Sequence, residues 1–200
     1  MNTPATPWLT RTRTQLRDDF NDLDQQYSAL CNRYSREQLL WRPANGTWSI
    51  AECIEHVAMS ISEYLKPMRA AIAKGCPPAL EQNYPFVAGG WFSNAFLKRI
   101  GPDVTSKFKA PGKIRPLSLD PDKVFGDQRR GHKEVQLLLA ETAQLDLNRI
   151  RFRNPFIPVL RFTVATGFLV IAAHGRRHLL QAERVTHAEG FPQSKAEQSA

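Results

Sequence analysis

The chain has 200 residues, 42% of them hydrophobic, and a formal net charge of +8. This length and composition suit one domain with a substantial core that needs no disulfide staples. No run of eighteen apolar residues exists, which excludes a membrane-spanning helix. The positive charges come in scattered pairs, such as Arg11 with Arg13 and Arg151 with Arg153, with no interleaved aromatic pattern. A solvated basic surface is therefore expected, and a nucleic-acid partner is disfavoured.

The N-terminal stretch lacks an apolar signal core. Cys31, Cys53 and Cys76 form no CxxC pair and cannot all pair within one chain. Both facts point to a reduced, cytoplasmic compartment.

The first helix is expected from about Pro7 to Tyr34, where Leu9, Leu16, Phe20, Leu23, Tyr27 and Leu30 recur at helical spacing. A turn follows at Pro43, Asn45 and Gly46. Ser49 and Glu52 then form a capping box that starts the second helix, expected to run to about Ala73. Pro67 lies inside this run, where a kink or an earlier end is one outcome. Residues 76 to 120 carry six prolines and read as a long extended connection with a short helix around Trp91 to Ile100.

The third helix is expected to begin at Asp120, an N-cap followed by Pro121, and to reach about Leu145. The segment DLNRIRFRNPF is a linker or short extended piece. The fourth helix runs from about Val159 to His187, ended by Gly190 and Pro192. Four long helices with one long connection predict an all-α fold: an antiparallel four-helix bundle with a long crossover between helices 2 and 3. Residues 1–192 form a single domain, and the polar tail over 193–200 is expected to be disordered.

In IAAHGRRHLLQAERV, His174 and His178 stand four apart, about one helical turn, so both leave the same face. Two imidazoles so placed suit one metal ion, but the spacing is common and needs a third ligand. His56 in the second helix falls roughly 120° from the centre of the apolar stripe, on the flank of the buried face. Thr163 and Gly167 lie on nearly the same helical line as His174, and small residues there would leave room for an ion and a ligand.

GTWSIAECIEHV together with AAHGRRHLLQAERV resembles the DinB/YfiT-like superfamily, four-helix-bundle proteins regarded as metalloenzymes. The segment LDLNRIRFRNPF is similar to the bacterial DinB_2-type subfamily. The resemblance spans about Leu9 to Arg184. It implies that His56, His174 and His178 are the ligands of a divalent metal, commonly nickel or zinc. Three imidazoles leave a coordination position open, as catalytic sites do. The chemistry implied is activation of a water or a thiol for transfer or hydrolysis of a small molecule. Some characterised relatives are transferases using low-molecular-weight thiols, and others are isomerases.

Other groups carry two readings. Cys53, one turn before His56, is either a further ligand or a small buried hydrophobe. Glu52 and Glu63 could support His56, although Glu52 already caps the helix and Glu63 is about 10 Å along the axis. His132 and His187 read as structural or exposed. Trp48 and Trp41 read as packing wedges at the helix start. Arg176 must point away from His174. Arg177 either lines the cleft or is solvated. Phe86, Trp91, Phe92 and Phe96 are expected to roof the pocket. The competing class is a non-catalytic stress-response or assembly module with incidental metal. A homodimer through helix faces fits either class.

Overall fold

The computed structural model describes residues 8–44, 46–75, 77–79, 84–104, 109–117 and 120–193. Cys76 and residues 194–200 of the expected tail lie outside them. The elements are β1 (Thr10–Arg11), α1 (Arg13–Arg33), α2 (Arg36–Leu40), α3 (Ile50–Ile72), β2 (Phe86–Val87), α4 (Trp91–Ile100), a 3-10 turn (Gly112–Ile114), α5 (Pro121–Glu141), β3 (Arg151–Arg153), β4 (Arg161–Thr163) and α6 (Val164–Thr186).

α1, α3, α5 and α6 form the bundle. α3 packs on α5 and α6, and α1 packs on the same two, so α1 and α3 take opposite corners. α3 and α6 run antiparallel: Met68 late in α3 meets Gly167 early in α6, while His56 early in α3 meets His174 and His178 further along α6. α1 and α5 are likewise antiparallel, because Arg13 reaches the carbonyls of Leu139 and Thr142 while Tyr27 packs on His132. α1 runs with α6, since Tyr27 lies by Gly175 and Tyr34 by Phe191. It follows that α3 and α5 run the same way. A connection between helices pointing in one direction must climb the length of the bundle, which is why residues 73–120 are long.

Capping decides the helix starts. α1 begins at Arg13, later than its apolar stripe suggests. Thr12 and Gln15 make a reciprocal capping box, and Thr10–Arg11 are held extended by antiparallel pairing with Val87 and Phe86. α2 was not expected. Ser35 caps it by the same reciprocal arrangement with Gln38, a signal that five residues of helix hide easily. α3 starts where Ser49 and Glu52 place it and continues through Pro67 to Ile72. The missing N–H of Pro67 costs one intrahelical bond, and burial of Leu65 and Met68 on either side holds the helix together.

α5 starts at Pro121, but the Asp120 side chain makes no capping bond and instead faces Arg36 at 3.5 Å. It ends at Glu141, four residues short of the expected Leu145. α6 begins at Val164 rather than Val159, because Arg161–Thr163 pair as a strand with Arg151–Arg153 and Thr163 then caps the helix through the Thr166 N–H.

The core is one cluster drawn from all four long helices, with Phe86, Leu147, Phe152 and Phe162 closing one end. Tyr27 is fully buried there and donates to the Gly175 carbonyl at 2.7 Å. Among the described residues no helix is long and apolar enough to cross a membrane.

Candidate metal centre

α3 and α6 face each other across the cleft, and each supplies imidazoles to it. His56 and His178 are buried, and His174 is half-buried. One ring nitrogen from each histidine lies within 4.8 Å of the other two. His174 Nε2 stands 3.3 Å from His56 Nε2 and 3.1 Å from His178 Nε2.

The tautomer of His56 is set by its surroundings. Its Nδ1 lies 2.7 Å from the Ile114 carbonyl, which can only accept, so Nδ1 carries the proton and Nε2 presents its lone pair to the other two rings. A backbone carbonyl behind a metal-facing imidazole is the usual orienting partner. Burial holds His56 neutral, lowering its pKa to about 4 against the raising effect of the Ile114 bond. Burial also holds His174 and His178 well below the ordinary histidine range, with the neighbouring imidazoles and Arg177 adding to it. Three neutral rings are three available lone pairs.

The donor set fits a metal ion on two counts. A tetrahedral ion with bonds of about 2.05 Å to nitrogen places its ligand nitrogens ~3.3 Å apart, close to both measured separations. Hydrogen bonding among the rings accounts for less. A single proton on His174 Nε2 can point in line at only one of its two neighbours.

The cleft around the triad holds about 1070 Å³. Its floor includes Val57, Ile61, Val170 and Ile171, and the 3-10 turn carrying Ile114 forms one wall. Trp48 leans over the histidines, its ring centre 4.8 Å from that of His56 and 5.8 Å from that of His178. Arg42 braces this corner by gripping both carboxylate oxygens of Glu52, at 2.7 and 2.6 Å, while Glu52 also accepts the Ser49 N–H.

A model of the DinB superfamily matches residues 8–182. The chain belongs to the DinB superfamily. Among solved structures it is similar to YfiT from Bacillus subtilis, described as a probable metal-dependent hydrolase with an unusual four-helix bundle topology. The two chains share 13% identity, with 90% of this chain and 89% of that one covered and a TM-score of 0.58, a likeness of fold. No curated protein sequence matches.

On this DinB scaffold the three histidines singled out from the sequence come together. Several of their supposed neighbours do not. Gly167 leaves no room for an ion: a Cβ there would meet Met68 Sδ at 2.7 Å, so the glycine serves close packing of α6 on α3. Thr163 is occupied as a cap, bonded to Thr166. Cys53 is fully buried among hydrophobic residues, its thiol pushed far up by burial, and it is not among the residues lining the cleft. Glu63 pairs with Lys66 away from the cleft.

His132 is buried rather than exposed, packed on Phe20 and Tyr27 and bonded to Gln128. His187 caps the end of α6 and is exposed. Trp41 packs on Phe191, whereas Trp48 covers the imidazoles instead of only wedging the helix start. Arg176 points away to Asp22 and Gln26, and Arg177 does line the cleft.

Of the four expected roof aromatics, only Phe96 lines the cleft. Phe86 is buried against Phe168, and Trp91 and Phe92 face solvent, 74% and 63% exposed. The Ile114 carbonyl carries no sequence signal, because any residue type supplies the same oxygen.

Proposed function

We propose that this protein is a metal-dependent enzyme acting on a small molecule in the cleft between α3 and α6. His56, His174 and His178 would hold one divalent ion, nickel or zinc, through their Nε2 atoms. The observation that carries this reading is the convergence of three neutral imidazole nitrogens at metal-ligand spacing. An ion with three protein ligands supplies Lewis-acid activation of a water or a thiol, suited to hydrolysis or transfer.

The chain's own residues do the rest. The Ile114 carbonyl fixes the tautomer and aim of His56. Trp48 and Ile114 keep bulk water off the imidazoles. The apolar floor holds the body of the substrate. Among the described residues lining the cleft, Glu52 is the only carboxylate, and it is committed to Arg42 and Ser49. Among those described residues no second carboxylate is then at hand to act as a base.

Metal analysis of untagged protein by plasma mass spectrometry tests this. The expected result is near one equivalent of ion in the wild type and almost none in His178→Ala. A wild type that holds no metal after incubation with nickel and zinc salts would overturn the ligand assignment.

A further inference from the structure

Cations around the cleft come from separate parts of the chain. Arg42 belongs to the link before α3, Arg99 to α4, Lys109 and Arg115 to the crossover, and Arg177 and Arg184 to α6. Six cationic side chains thus line the cleft against one carboxylate, Glu52. The whole chain has 27 cationic residues to 19 acidic ones, so the excess is concentrated here rather than spread evenly.

Glu52 offsets Arg42 alone, which takes both its oxygens, so the lining keeps an excess of five positive charges. Arg177 is held in place across the mouth, donating to the Arg99 carbonyl at 3.3 Å and so tying α6 to the end of α4. Beneath this rim lie Val57, Ile61, Phe96, Ile100 and Val170, which offer no polar partner. A cleft with low-dielectric walls and one sign of charge at its mouth concentrates ligands of the opposite sign.

We infer that the cleft takes a small organic anion: an apolar body that sits on the floor, and a carboxylate, sulfonate or phosphate group that meets Arg177 and the arginines around it at the rim. This assignment of substrate class rests on reading the cleft as the active site, but the selectivity comes from the rim and not from a bound ion. Arginine suits the role because its planar fork pairs with two oxygens of an acid group at once.

The test uses 4-phenylbutyrate and its neutral counterpart 4-phenylbutyramide, titrated calorimetrically into the full-length protein both as isolated and after chelation with EDTA. The carboxylate is expected to bind at least ~10-fold more tightly than the amide in both forms. That preference should shrink as sodium chloride rises from about 50 to about 500 mM, as screening demands. Arg177→Gln combined with Arg115→Gln should lower the preference to within about 3-fold, with an unchanged circular dichroism spectrum and thermal midpoint.

Equal binding of the two compounds, or no binding of either, overturns the inference. So does a preference confined to the metal-containing form, because the anion would then be ligating the ion. A preference present in both forms of a protein that binds no metal would leave the anion site standing and remove the metalloenzyme reading alone.

Discussion

Gly167→Ala sets two known magnitudes against each other. Alanine in place of glycine in a helix interior gains about 1 kcal/mol from intrinsic propensity. The new Cβ, however, would stand 2.7 Å from Met68 Sδ, 3.1 Å from Met68 Cε and 3.1 Å from Phe152 Cε1. Met68 is fully buried and Phe152 nearly so, so neither can swing into solvent. Overpacking a filled core costs roughly 1–3 kcal/mol. The net expectation is a loss of about 1 kcal/mol, or roughly 2–4 °C in the midpoint of a chain this size.

Relief of the clash pushes α6 away from α3. His174 lies seven residues further along α6, about 10 Å, on the same line. The variant should therefore also bind metal more weakly, although Gly167 touches no imidazole. Urea unfolding of metal-stripped protein measures the first effect, and a double-mutant cycle with Met68→Ala isolates its cause. Removing the sulfur and terminal methyl should bring the cost of Gly167→Ala close to zero. If Gly167→Ala is stabilising in the wild-type background, or if the two changes add within about 0.3 kcal/mol, close packing at this point is not what the glycine provides.

The pH dependence has a definite sign. His56 is held to a pKa of about 4 when folded and returns to about 6.5 when unfolded, so below pH 6.5 the unfolded chain binds a proton that the folded chain does not. Stability of the metal-stripped protein should fall between about pH 6.5 and pH 4, by roughly 3 kcal/mol from His56 alone, with His174 and His178 acting in the same direction. Urea midpoints that stay flat or rise over that window would contradict the neutral triad. Thr12→Ala removes the capping bond to the Gln15 N–H and should cost about 1 kcal/mol, seen as a lower thermal midpoint without loss of bound metal.

Much of this protein is legible in its sequence, for local reasons. Ser49 and Glu52 fix the start of α3 because a capping box satisfies backbone donors within four residues. The apolar repeat of α1 marks its buried stripe, Leu16, Phe20, Leu23, Tyr27 and Leu30, because a helix has one period everywhere. The i, i+4 pair His174 and His178 share a face for the same reason. The resemblance of short motifs added His56, which no periodicity could link to the other two.

What the sequence could not decide depended on contacts between distant segments. Thr10–Arg11 became a strand because β2 was there to pair with it, and Arg161–Thr163 because β3 was. Gly167 looked like space near the histidines on a single-helix wheel and proved to be filled by the side chains of Met68 and Phe152, since a wheel shows direction but not distance. His132 read as either structural or exposed in its polar run, and the structure decides for the first, because Phe20 and Tyr27 of α1 close over it. The orientation of His56 by a backbone oxygen of residue 114, and the gathering of six cations from four stretches of chain around one cleft, exist only once the crossover has folded back over α3 and α6.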